Sequence, residues 1–274
     1  MISIFRAQVN RITGRWAYHL SAGIILVLTA INFALNCLRY SGYDFVEMVD
    51  PLRVMIVSSG GSLNGIYMQL FPVLIVIASG SVIFHDRMTR MKIFIALRKN
   101  SSQYYAGTML AVFFTTFILF LLPALLEYIL TWIAFPIEAT GDPGHVVPYI
   151  TMVAGPRERG YLFFPIFFSL PKVYPLVMIV RASAVFSMLS VFTNCIASIG
   201  ISFRILLLVP VYAVLSLFNF VLPMIQDSYF TFNDYLTLYL PLPMAGWEFA
   251  AVMAGLVLLS LGITVYQSRS DQIL

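Results

Sequence analysis

IYMQLFPVLIVIASGSVIF, residues Ile66 to Phe84, runs uncharged into HDRMTRMKIFIALRKNSSQY, His85 to Tyr104, and on into a second uncharged run, YAGTMLAVFFTTFILFLLPALL, Tyr105 to Leu126. About 20 apolar residues cross the roughly 30 Å hydrocarbon core of a bilayer as a helix, and a short cationic connector is retained on the cytoplasmic side. The pattern predicts a membrane hairpin with its turn in the cytoplasm. Arg87, Arg90, Lys92, Arg98 and Lys99 make that turn basic, and it is the surface the chain offers to a soluble partner.

Composition points the same way. With 60% hydrophobic residues, 10% charged residues and a mean hydropathy of +0.90, the chain cannot coat a globule of its own size with polar surface. No linker rich in Ser, Gly or Pro and no shift in composition divides it, so residues 1–274 read as one transmembrane domain. The net charge of +4 does not imply nucleic acid, because the bases sit beside apolar spans where positive-inside retention accounts for them.

The apolar runs predict an all-α membrane protein with six transmembrane helices, at Ala17–Leu38, Ile66–Phe84, Tyr105–Leu126, Leu176–Ile199, Ile205–Ile225 and Gly246–Gln267. The fifth carries Pro210 and Pro223, and the aromatic-rich segment 226–247 after it reads as a re-entrant or interfacial stretch. A cytoplasmic amino terminus places Arg6, Arg11, Arg15, Arg87, Arg90, Lys92, Arg98, Lys99, Arg204 and Arg269 inside, ten of the 16 bases. Both termini are then cytoplasmic, in a multi-pass protein of the plasma membrane. In residues 1–16, Phe5, Val9, Ile12 and Trp16 recur at helical spacing while Arg6, Arg11 and Arg15 point mainly elsewhere. That is the pattern of an interfacial helix, or else a plain extension of the first span. No small-x-small cleavage site follows convincingly, so the segment is expected to stay attached.

Chemistry-bearing motifs are missing from the sequence. It has no G-x-x-x-x-G-K-[ST] loop and no H-E-x-x-H, and His19, His85 and His145 have no metal-ligand spacing. Cys37 and Cys195 lie apart in apolar segments, which argues against a disulfide framework or a zinc site. Gly60-Gly61-Ser62 sets a serine among small residues with no histidine at matching depth. Asp86, Glu127 and Glu248 all read as span-end residues, leaving no carboxylates deep in the membrane. The chain is therefore expected to be no enzyme and to bind no cofactor or metal itself.

Polar residues inside the spans remain. Ser183, Ser187, Ser190, Asn194 and Ser198 share one helical face of the fourth span, Asn32 and Asn36 form a shorter stripe on the first, and Asn219 lies in the fifth. Such groups line a translocation path or pack helices together. Arg181 either snorkels to headgroups or holds an anionic substrate or an external gate. The outer segment 127–172 and the aromatic stretch 229–239 read as an external cap or as passive covering.

At the connector the residues resemble a known family, the permease subunits of ABC type-2 (type V) exporters. Those proteins combine six spans and an N-terminal interfacial helix with a stretch after the second span that holds an acidic residue, a Gly-Thr-like pair, an apolar turn and a Pro-x-Ser-Arg-like element. The third span then begins near Gly-Lys. Here Asp86 stands in the acidic place, Thr89 in that of the threonine, Ser101 or Ser102 in that of the serine and Gly107 in that of the glycine. Met88, Asn100, Gln103 and Thr108 depart from the pattern. The resemblance implies that residues 86–104 form a coupling helix docked in a groove of a separate ATP-binding subunit. Asp86, Arg87, Met88, Thr89, Arg90, Met91, Lys92, Ile95, Arg98, Lys99 and Ser101 are the coupling residues it implies, with ATP and Mg held in a pair of such subunits.

Six spans would make half of a path, completed by a second permease copy or a homologous permease, for an amphipathic peptide, a lipid-like molecule or a drug. Met88, Met91, Ile95 and Leu97 beside a cationic rim independently allow helix-in-groove docking, and the same basic loop also suits an anionic lipid surface. The alternatives are a non-transporting immunity or scaffold protein and an ion-coupled secondary transporter, the latter disfavoured by the lack of buried carboxylates and of an inverted repeat. The orientation is tested by a cysteine placed at position 90, which should resist an impermeant thiol reagent added outside intact cells. External labelling there would reverse the topology.

Overall fold

A computed structural model of the chain describes residues 2–44, 48, 51–58, 61–89, 101–135, 166, 169–170, 173–217, 219, 236 and 246–273, and among these the regular elements are all helical. They are α1 (Ile2–Thr13), α2 (Trp16–Arg39), α3 (Pro51–Val54), α4 (Asn64–Ile75), α5 (Val82–Met88), α6 (Ser101–Ala134), α7 (Tyr174–Ser198), α8 (Leu208–Ser216) and α9 (Gly246–Ile273). A π-helical turn, Val76–Gly80, joins α4 to α5, and a 3-10 turn, Arg204–Leu207, leads into α8.

Among the described residues four helices are long and apolar enough to cross a membrane: α2, α6, α7 and the stretch Ala250–Arg269 of α9. The expected second span is a broken one, Asn64–Gly80 followed by Val82–Met88 with a bend of 46°, and makes a fifth if counted whole. The expected fifth span at 205–225 is described only as the short apolar helix Arg204–Ser216. Segment 226–247 lies almost wholly outside the described residues. The expected third span is too short at both ends, since α6 runs 34 residues from Ser101 to Ala134. Glu127 reads in the sequence as a span-end residue, yet it is buried and the helix continues past it.

Polar groups are buried beside the apolar core while many large apolar side chains face outward, which is compatible with a membrane protein. Asn32, Asn36, Asp86, Glu127 and Asn194 are at most 1% exposed, whereas Val27, Ile129, Ile133 and Leu258 are more than half exposed. In water that arrangement would forgo the main driving force of folding; in lipid, apolar side chains face the solvent without cost. At the centre stands α7, 72% buried over its apolar window against 11% for α9. Its Phe186 stacks on Phe120 of α6 at 4.4 Å, with Tyr67 of α4 set edge-on to both rings. Aromatic pairs of this kind add about 0.5–1.5 kcal/mol beyond burial.

N-terminal helix α1 packs along the start of α6, with Ile4, Gln8 and Ile12 buried. Gly107 permits the approach: a Cβ there would lie 2.9 Å from Ile4 Cγ2. The apolar face expected of residues 1–16 needs one correction. Phe5 and Val9 are half-buried and Ile12 fully buried, but Trp16 begins α2 and is 78% exposed. The chain turns at Gly14 and Arg15, so Trp16 does not continue the helical register of α1.

The break between α4 and α5 is repaired from α7. Asn194 Nδ2 donates to Ser79 O at 2.7 Å and its Oδ1 accepts from Ile83 N–H at 3.2 Å, while Ser79 Oγ meets Thr116 Oγ1 at 2.5 Å and Ser190 Oγ at 2.9 Å. Gly80 brings this backbone against Thr193, whose Cγ2 would sit 3.4 Å from an added Cβ. Asn194→Ala strands two backbone groups at once, a loss expected to be about 2 kcal/mol. Ser190→Ala leaves Ser79 Oγ its bond to Thr116 and should cost only about 0.6 kcal/mol. Thermal unfolding of the two variants in detergent checks the order.

Candidate functional site

Two polar clusters stand at opposite ends of α6. Tyr104 belongs to one and Glu127 to the other, and at 1.5 Å per residue they lie about 35 Å apart along the axis.

The first is built on Asp86, which α5 buries completely. Its carboxylate pairs with the Arg11 guanidinium of α1 and accepts hydrogen bonds from Gln8 Nε2 at 3.2 Å and from Tyr104 Oη at 2.7 Å. One side chain thus ties the N-terminal helix, the end of the broken span and the start of α6. Arg87, its neighbour, turns the other way and donates to Ile201 O at 2.5 Å and Ala197 O at 3.5 Å, at the carboxyl end of α7. A cation there satisfies terminal carbonyls and opposes the negative end of the helix dipole. Gly200, with φ of 116°, lets the chain turn at that end.

Burial pushes the Arg11 pKa down, and Arg15 is pushed down to about 10 by burial and by the charges of Arg11 and Arg204. Of the other expected coupling residues, Met88 is exposed, Thr89 Oγ1 donates back to His85 O at 2.9 Å, and Ser101 is buried at the start of α6. Arg90, Met91, Lys92, Ile95, Arg98 and Lys99 lie outside the described residues.

A buried, largely non-helical segment makes the second cluster. Residues 55–58 follow the single turn of α3 into the bundle, and they and Val54 are each at most 2% exposed. Ile56 N–H donates to both oxygens of Glu127, at 2.9 and 3.0 Å, and Val54 O accepts from Asn32 and Asn36, each at 2.8 Å. Asn32 also donates to Glu127 Oε1 at 2.7 Å and accepts from Leu63 N–H at 3.0 Å. Asn36 Oδ1 accepts from Ser62 Oγ at 2.8 Å, and Asn64 Nδ2 donates to Ile56 O at 2.9 Å. Gly61 closes the segment, since a Cβ there would overlap the Met55 carbonyl.

Sequence reasoning assigned no role to the residues between the first two expected spans and missed this insertion. A polar pair at i and i+4 in an apolar helix, Asn32 and Asn36, and a glutamate followed by the apolar run YILTWIAF were the available signals. Both ask for buried partners.

Among the path candidates, the structure joins Ser190 and Asn194 to the broken span and Asn32 and Asn36 to the inserted segment. Ser183, Ser187 and Ser198 are buried on α7; Ser187 donates to Ser183 O at 2.7 Å and Ser198 to Cys195 O at 2.5 Å. Arg181 lies inside α7 and is 5% exposed. Asn219 is half-buried beyond the end of α8. Among the described residues, no group of His, Cys, Asp or Glu side chains has the arrangement to hold a metal ion.

In comparison with known proteins, the chain matches no family model, no curated protein and no solved structure.

Glu127 gives a direct test of the second cluster. Glu127→Leu leaves Ile56 N–H and the Asn32 amide without their acceptor, which should lower stability by about 2–4 kcal/mol. Glu127→Gln keeps one acceptor oxygen and should lose less than half as much. Denaturation in detergent, with proteolysis at 54–63 as a local readout, measures both.

Proposed function

We propose that the chain is the membrane-spanning permease subunit of an ATP-driven exporter of the ABC type-2 kind, working with a separate pair of ATP-binding subunits and a second permease copy. The observation that carries this reading is the Asp86 cluster. It fixes both ends of the basic connector, one through α5 and the other through Tyr104 at the start of α6, and it braces both against α1. A docking element must pass force to the spans. A connector held between two posts that share a buried ion pair does so, whereas a loop that only touches lipid needs no such bracing.

On this reading ATP binding closes the partner subunits and draws the docked connectors together, tilting α5 and α6 and switching access through the bundle. The connector and both termini face the cytoplasm of a plasma-membrane protein. The cargo is an amphipathic peptide, a lipid-like molecule or a drug.

A second reading has an observation of its own. Glu127 is a buried carboxylate of the kind an ion-coupled carrier uses, and its presence removes one sequence-based argument against such a carrier. The two readings separate in reconstituted vesicles. An exporter subunit co-purifies with a phosphate-loop ATPase and stimulates its turnover, and Arg90→Gln returns that turnover to the basal rate while membrane levels are unchanged. Full stimulation by Arg90→Gln refutes coupling through this connector. Uptake that follows an imposed pH gradient without ATP, and is lost in Glu127→Gln, establishes the carrier instead.

A further inference from the structure

In an α-helix each N–H donates to the carbonyl four residues back, so Ile83 N–H belongs to Ser79 O and Ser81 N–H to Ile77 O. Among the described residues neither of these two bonds is made, and the broken span bends by 46° where they are missing. Side chains stand in for both. The Asn194 carboxamide sits in the first gap, donating to Ser79 O at 2.7 Å and accepting from Ile83 N–H at 3.2 Å. Arg204 fills the second from the turn after α7, its Nη2 donating to Ile77 O at 3.2 Å.

A carboxamide that bridges the donor and the acceptor of one missing helical bond can be withdrawn without orphaning either, because the two then bond each other. That separates this break from one forced by proline, which has no closed form. Pro72 lies earlier, in α4, and the N–H it lacks would serve Met68 O, outside the gap. Asn194 Nδ2 also donates to Ser190 O at 3.1 Å, a bond within α7 that does not depend on the shape of the span. The Arg204 bond is on the exposed surface, where water replaces a donor at small cost. Gly80 suits the bent form: a Cβ there would lie 3.1 Å from Ile75 O and 3.4 Å from Thr193 Cγ2.

We propose that residues 76–83 are a two-state hinge. In the bent form the Asn194 carboxamide is inserted between Ser79 O and Ile83 N–H; in a straighter form those groups bond each other and Arg204 releases Ile77 O. Every backbone group at the break has a partner in either form, apart from a carbonyl that Ser81 N–H takes over from Arg204. Since α5 carries Asp86 and Arg87, the hinge sets the angle between α4 and the helix from which the basic connector leaves. It stands whether or not the exporter reading does.

Double electron–electron resonance on the full chain in lipid nanodiscs tests the hinge, in a background carrying Cys37→Ala and Cys195→Ala. Spin labels at Met88 and Ile133 follow α5 against α6, and labels at Ile66 and Leu110 follow α4 against α6; all four positions are exposed. The seven residues of α5 span about 10 Å, so loss of the 46° bend moves its end by up to about 8 Å if α4 is fixed. Asn194→Ala withdraws both bonds from the bent form, a change of about thirtyfold in the ratio of the two forms, and should bring up a second distance in at least one pair. Gly80→Ala leaves Asn194 in place and favours the regular helix about fivefold, so it decides the matter if Asn194→Ala fails to fold. Ser190→Ala should keep the wild-type distances. A second distance in Asn194→Ala or Gly80→Ala that Ser190→Ala lacks supports the hinge. Wild-type distances alone in every folded variant overturn it, and so does the same second distance in Ser190→Ala, which assigns the change to a general loosening of the bundle.

Discussion

A backbone that leaves the helical path inside an apolar bundle must take its hydrogen bonds from side chains, because no water reaches it. Among the described residues this chain does so at 54–58 with 61–63 and at 76–81, and both times the repair comes from a carboxamide on a neighbouring long helix. A carboxamide suits the task because it carries donors and an acceptor on one rigid group. Asn194 spends its donor on Ser79 O and its acceptor on Ile83 N–H; Asn32 does the same for Val54 O and Leu63 N–H. Glu127 has acceptors only, and it faces donors only, Ile56 N–H and the Asn32 amide. The packing of α2 and α7 around the two breaks follows from these pairings.

Much of the helical plan was legible in the sequence because lipid imposes a simple rule on it, about 20 apolar residues per crossing. The rule finds α2, α6, α7 and α9 within a few residues, apart from the ends of α6. It fails where polarity is answered inside the protein rather than by solvent. Glu127 reads as a boundary in a hydropathy pattern, yet its partners, Asn32 and Ile56, are 95 and 71 residues away in sequence. The inserted segment at 54–58 fails for the same reason, being too short to register as a span. At the other cluster Asp86 was singled out, but by likeness to a motif. That its partners would be Gln8, Arg11 and Tyr104 is a matter of tertiary packing that no local spacing encodes.

The stripe of small polar residues on α7 shows how one pattern divides in space. Periodicity placed Ser183 to Ser198 on a common face, and burial agrees along its whole length. Only Ser190 and Asn194 reach another helix in the bonds described above, and they do so at the π-helical turn, where backbone groups are open to them. Ser187 and Ser198 turn back to carbonyls of their own helix, an arrangement that satisfies a hydroxyl without specifying a neighbour. Pairing specificity in this bundle therefore comes from backbone irregularity as much as from side-chain pattern.

The two clusters differ in what displacement would cost. At the Glu127 end the bonds join a loop to helices, and a shift of the loop breaks hydrogen bonds to a carboxylate without parting an ion pair. At the Asp86 end a shift of α1 away from α5 would separate Arg11 from a fully buried carboxylate, and breaking such a pair typically costs about 3–5 kcal/mol. Asp86 therefore ties α1, α5 and the start of α6 to one another.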